Sequence, residues 1–139
     1  MARPHIAIAV RRVVTQRASS RCEYCLIPTE WASISHHVDH IIPLRHGGTT
    51  SEENLAYACF ECNVAKGADI AAFDPLTREI TRLFHPRTDE WSVHFQLLDD
   101  RLLGLTAVGR TTVSLLQFNE PSRVRQRKLL IAANVYGLS

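Results

Sequence analysis

HHVDHIIPLRHGG, His36 to Gly48, is the stretch whose reading decides the fold. A carboxylate and an imidazole stand side by side in an apolar run that a proline and two glycines bring to an end. Taken alone the pair is ordinary: Asp39 can cap a turn, and His40 can be a satisfied core histidine. The run reads as a short strand, and on a strand neighbouring side chains point to opposite faces. Asp39 and His40 can therefore share one site only where the strand twists or stops, and Ile42-Pro43 is such a stop.

The stretch is flanked by Cys22-Glu-Tyr-Cys25 and Cys59-Phe-Glu-Cys62, two C-x2-C pairs with 33 residues between them that hold all four cysteines of the chain. Two thiolates so spaced converge on one tetrahedral ion, so Cys22, Cys25, Cys59 and Cys62 are the expected ligands of a structural zinc. A redox pair and four unrelated buried cysteines are the alternatives. With four cysteine ligands such a zinc has no open position, so it would hold the fold and do no chemistry. Arg11 and Arg12 interrupt the N-terminal apolar residues, so no signal peptide is read there. A cytoplasmic location and free thiols are the expectation. No apolar run is long enough to span a membrane.

The 139 residues suit one compact domain with an extension. Hydrophobic residues make up 45% and charged residues 22%, which is a globular balance and not a disordered one. A net charge of +2 does not by itself argue for nucleic acid. Four thiolates and one zinc would cancel it, so positive potential depends on where the arginines point. The first 21 residues carry arginines at 3, 11, 12, 17 and 21 and no acid, and Arg123, Arg125, Arg127 and Lys128 cluster near the other end. Solvated helix faces explain both clusters as well as binding patches do.

Residues 5 to 18 have apolar spacing that predicts an amphipathic helix. Trp31 to Ile34 and His37 to Ile42 read as the two strands of a hairpin. Thr50-Ser51-Glu52-Glu53 has the pattern of a capping box, leading into a helical turn that carries Asn54 and Leu55. A second helix is expected from Cys62 to about Ile70. Farther on, Ile80 to Phe84 and Trp91 to Leu98 read as strands, with Asp99-Asp100 as a hairpin tip. Thr106 is placed to cap a helix, and Pro121 fits the first turn of a final one. The order is that of an α+β protein. Tyr24 and Trp31 are expected in the core.

The pieces in order are C-x2-C, V-D-H-I-I-P, G-G-T, E-N-L and C-x2-C-N-x2-K-G, from about Arg21 to Gly67. This resembles the HNH endonuclease family in its four-cysteine form. Asn54 stands fifteen residues after Asp39, and Asn63 nine after Asn54. The resemblance implies a ββα-metal nuclease core over residues 1–70, counting the N-terminal helix and zinc knuckles, with 71–139 as an α+β extension packed on it. It implies that Asp39 and Asn63 hold a catalytic divalent metal, that His40 is the general base and that Asn54 hydrogen-bonds across the loop and fixes the His40 ring. Lys66, Arg45 and His37 are the expected nucleic-acid contacts. Asn63 stands where the family name has histidine. That oxygen donor favours magnesium or manganese over zinc at the catalytic position.

The chemistry asks for these residue types in its own right. Phosphodiester hydrolysis needs an activated water, a Lewis acid on the phosphate and stabilisation of the leaving oxygen. Imidazole, with an ordinary pKa of about 6.5, suits a base near neutral pH. The expected activity is metal-dependent hydrolysis of DNA, with RNA left open as substrate and monomer and homodimer both open. A zinc-stabilised nucleic-acid-binding module without catalysis is the competing reading. His36 is assigned no role, His37 is as easily explained by an exposed strand position as by a contact to DNA or to the metal waters, and His46 is better explained as a solvated loop residue than as a phosphate contact.

Overall fold

The computed structural model describes residues 5–136. Arg3, one of the N-terminal arginines, lies outside them, as do residues 1–4 and 137–139 at the ends of the two expected units. Helix α1 spans Ile8–Arg17. Strands β1 (His37–His40) and β2 (Leu55–Ala58) form an antiparallel pair and lead into α2 (Phe60–Lys66). The hairpins β3 (Ala71–Phe73) with β4 (Ile80–Arg82) and β5 (Phe95–Leu98) with β6 (Arg101–Gly104) follow, with a single helical turn, α3 (Trp91–His94), between them. Helices α4 (Ala107–Leu115) and α5 (Pro121–Ala132) end the described chain. The class is α+β, built from small two-stranded sheets.

The strand that pairs with β1 is not the expected one. Trp31 closes a short 3-10 turn over Thr29–Trp31, and Trp31 to Ile34 form no strand. The partner is Leu55–Ala58, with His37 opposite Ala58 and His40 opposite Leu55. Leu-Ala-Tyr-Ala lacks a polar-apolar alternation because three of its four residues are buried. Two-sided burial erases the period-2 signal that identifies a strand.

Local chemistry explains the other departures. The Thr50–Glu53 capping box does not form, and a 3-10 turn over Glu52–Asn54 stands in its place. Helix α2 starts at the second knuckle, where Cys59 Sγ accepts from Cys62 N–H, and stops where Gly67 takes a positive φ. Trp91–His94 turns as a helix before the chain extends at Phe95. The expected hairpin tip is present: Asp99 adopts a left-handed φ of 56°, which aspartate tolerates in tight turns. Thr106 caps α4 by accepting from Gly109 N–H at 3.0 Å, and Pro121 opens α5.

The main core joins Tyr24 and the cysteines to Phe84, Phe95, Leu102, Leu116 and Phe118. Phe95 stands at its centre, within 5.1 Å of Phe84 and Trp91 and 5.6 Å of Phe118, ring centre to ring centre. Tyr24 is buried as expected, whereas Trp31 is 49% exposed and not a core residue. A second cluster of Ile6, Val14 and Leu55 seats α1 over β2. Arg17 secures that contact by donating to Glu52 O and Leu55 O. Residues on both sides of position 70 meet directly, since Trp91 Nε1 donates to Tyr24 O at 2.8 Å.

Candidate active site and metal centre

The two knuckles bring four sulfurs to one point. Cys22, Cys25, Cys59 and Cys62 are buried, and their Sγ atoms lie within 4.8 Å of one another. Cys25 Sγ is 3.6 Å from Cys59 Sγ. A tetrahedron with zinc–sulfur bonds of about 2.3 Å has edges of about 3.8 Å. The donor set therefore fits an ion such as zinc. Each knuckle also turns a backbone N–H onto its first sulfur: Cys25 N to Cys22 Sγ and Cys62 N to Cys59 Sγ, both at 3.4 Å.

On the other side of the ββα unit, Asp39, His40 and Asn63 line one cleft of about 620 Å³. Strand β1 ends at His40, and this is what lets the neighbours Asp39 and His40 share a wall. Asp39 is 7% exposed. Its Oδ2 accepts from Tyr24 Oη at 3.1 Å and pairs with Lys66 Nζ at 3.2 Å. Burial pushes the Asp39 carboxyl up, and Lys66 and Tyr24 offset only part of that. The Tyr24 hydroxyl is itself held well above its ordinary range by burial, then by the Asp39 charge, so it stays a donor. These contacts hold one carboxylate oxygen. The Asn63 side chain makes no hydrogen bond among the described residues. Carboxylate and amide oxygens are the donor types that hard cations take.

Asn54 hydrogen-bonds across the loop, as expected, but its partners are backbone groups and not the His40 ring. Its Oδ1 accepts from Ile42 N at 2.9 Å, and its Nδ2 donates to Ile42 O and Thr49 O, both at 2.8 Å. This amide stitches the loop after β1 shut. Gly48 belongs to the same device, because a Cβ there would overlap Ile42 O and crowd Asn54 Nδ2. The His40 ring is held by Thr50, whose Oγ1 is 3.0 Å from Nε2. Thr50 was read as part of a cap. Nothing in its sequence position announced the ring contact.

Lys66, expected to face a phosphate, is buried; besides Asp39 it donates to His40 O at 3.1 Å. It neutralises the carboxylate from behind. Arg45 and His37 are exposed and line the cleft. So does Arg11 of α1, a residue the motif did not single out, whose place at the cleft comes from the packing of α1 on β2. His36 is buried against Tyr57 with Nε2 2.9 Å from Ile27 O, and His46 lies exposed on its loop. The C-terminal basic cluster divides by helical geometry. Arg123 and Arg127, one turn apart, point inward and are buried, while Arg125 and Lys128 are exposed.

Residues 22–69 match the family model of the HNH endonuclease. That segment is an HNH endonuclease domain, of a family that cleaves nucleic acids with the help of a metal ion. The chain is also 25% identical over 131 residues to the Septu protein PtuB of Bacillus thuringiensis, a match covering 93% of this chain and 47% of that protein. The chain thus spans about half the length of this relative. No solved structure gives a significant match. No helix among the described residues is long and apolar enough to cross a membrane.

Proposed function

We propose that the protein is a metal-dependent endonuclease that hydrolyses DNA phosphodiester bonds in the cleft between β1 and α2. One observation carries this reading: Asp39, His40 and Asn63 line a single cleft that also presents Arg11 and Arg45. Asp39 and Asn63 would hold the catalytic magnesium or manganese, which supplies charge on the scissile phosphate and at the leaving oxygen. Lys66 and Tyr24 fix the carboxylate so that one oxygen stays turned to the cleft. His40, oriented by Thr50, takes a proton from the attacking water at a ring nitrogen. The water oxygen bonds to phosphorus and the bond to the 3′ oxygen breaks, that oxygen takes a proton from solvent, and a 5′-phosphate and a 3′-hydroxyl remain. Arg11, Arg45 and His37 contact the phosphates on either side, a role that exposed arginines perform without reading sequence. Residues 1–70 are the nuclease unit in this reading, and 71–139 are an extension that braces it.

Supercoiled plasmid is the substrate for the test, with magnesium, manganese, zinc or EDTA added. Cleavage by the wild type with magnesium or manganese, absent in EDTA, is the expected result. His40→Ala should lose about 10²–10⁴-fold in rate while keeping its fold and its affinity for DNA, as removal of a general base does. Equal cleavage by His40→Ala would remove it as the base. DNA binding without cleavage under any of the metals would favour a binding module.

A further inference from the structure

Arg123 lies outside the matched segment, yet its guanidinium touches the metal centre. It comes from the first turn of α5, 61 residues after Cys62, and its Nη2 donates to Cys62 Sγ at 3.0 Å and lies 3.8 Å from Cys59 Sγ. Its other terminal nitrogen donates to Leu116 O at 2.6 Å and Gln117 O at 2.9 Å, and the group rests 5.8 Å from the Phe118 ring centre. The side chain is therefore aimed from several directions, and 9% of the residue is exposed.

The electrostatics require such a group. Four thiolates around one divalent ion carry a net −2, and a buried excess charge is costly unless it is paired and hydrogen-bonded. Hydrogen bonds from outer groups also decide how tightly ligand atoms stay on a metal. Arg123 delivers a full positive charge to the sulfurs of the second knuckle. It also lines, with Cys25, Cys59 and Arg127, a small cavity beside the cluster.

We propose that Arg123 is a positioning residue of the metal centre: it neutralises the cysteine cluster, slows loss of its ion and fastens α5 to the HNH domain. The claim rests on the cysteine cluster holding a metal and not on the nuclease reading. Arg127 supplies the control. It is equally buried on the same helix, but it bonds Phe118 O, Asp100 O and Tyr136 Oη and touches no sulfur.

Zinc content and zinc transfer to a chromophoric chelator would be measured for wild type, Arg123→Met, Arg123→Lys and Arg127→Met. One zinc per wild-type chain is expected. Transfer should speed up by about tenfold or more in Arg123→Met, as for loss of other outer-shell partners. Arg127→Met should stay near the wild-type rate, and Arg123→Lys should recover part of the difference. With cobalt(II) in the site, the sulfur-to-cobalt charge-transfer band should move to lower energy in Arg123→Met, since the donor that stabilised the sulfur lone pairs is gone. That band is read on folded, loaded protein and would not move if Arg123 merely docked the helix. If Arg123→Met does not fold, Arg123→Lys carries the test, because a shorter donor must still shift the band and speed release. Wild-type transfer rates and band position in both Arg123 variants would overturn the proposal. So would equal acceleration in Arg127→Met, and a wild-type protein that binds no metal would overturn its premise while leaving the catalytic cleft untouched.

Discussion

The two sides of the ββα unit treat their polar groups in opposite ways. At the cysteine cluster everything is enclosed: the sulfurs are buried, backbone N–H groups point at them, and Arg123 stands behind them. At the cleft the enclosure is one-sided. Asp39 is held from within by Tyr24 and Lys66, while His40, Asn63 and Arg45 reach toward solvent. A closed set of donors stores folding energy, and an open set leaves positions for water, metal and phosphate. Proximity in sequence does not predict which is which, since Cys62 and Asn63 are adjacent and belong to different sites.

The largest effect that would test this contrast is loss of a cysteine. Metal binding in small zinc units is worth about 10–16 kcal/mol, comparable with the whole stability of a domain. Cys22→Ser should therefore abolish cooperative unfolding and metal retention together, followed by calorimetry and metal analysis. A variant that melts like the wild type would mean that the enclosed cluster is not what holds the fold.

Asn54→Ala comes next. It removes three hydrogen bonds from one loop and leaves the Ile42 and Thr49 backbone groups without them. A cost of about 2–3 kcal/mol is expected from groups left unsatisfied, measured by urea unfolding. Gly48→Ala should act in the same direction, because the clash is with backbone that cannot rotate away. If Asn54→Ala keeps full stability and loses only cleavage, Asn54 belongs to the chemistry and not to the loop.

Asn54 also shows what the sequence could and could not tell. Its type and spacing were legible, because the motif is local and chemically demanding. So was its bond across the loop, but not its partners, since nothing in E-N-L says whether an amide will meet a ring or a backbone. The same limit hid β2: Ala56 and Ala58 are buried without looking like strand residues. Lys66 and Arg123 are buried against expectation for a related reason. A cation is buried only when a distant group needs its charge, and Asp39 and the cysteines lie 27 and 61 or more residues away in the chain. The caps at Thr106 and Pro121 and the turn at Asp99 were legible because their physics is confined to a few residues.

A smaller effect is expected where the hairpin β3–β4 meets α4. The buried Asp74 accepts from Arg110 Nε and Nη2 at 3.1 and 2.8 Å and from Leu76 N and Thr77 Oγ1 at 3.0 Å. The Arg110 guanidinium, ahead of the other donors, holds the carboxyl well below the usual carboxylate range. A depressed folded-state pKa gives stability that is complete above the unfolded value of about 3.9 and disappears as pH falls through the lower one. The gap in melting temperature between wild type and Asp74→Asn should be constant near neutrality and close below about pH 4. Using the difference cancels any acid-driven loss of metal from the cysteine cluster, which both proteins would share. A gap that is unchanged at low pH would show that packing, not charge, accounts for it.

The smallest effect concerns the open side itself. Arg45 is exposed at the cleft and its side chain makes no hydrogen bond or ion pair among the described residues, so Arg45→Gln should leave the melting temperature unchanged. What it should change is the salt dependence of DNA binding. Each phosphate contact to duplex DNA contributes about 0.9 to the slope of log affinity against log salt. Removing one contact should therefore flatten the slope by about that amount, and equally on unrelated sequences, because a phosphate contact carries no base information. Arg11→Gln should do the same if α1 forms the second wall of the binding surface. A change in slope for Arg45 alone would confine the nucleic acid to the loop side of the cleft. Lys66→Met, on α2, is the contrast. It should cost stability, because the buried Asp39 charge is left unpaired, and leave the slope where it was.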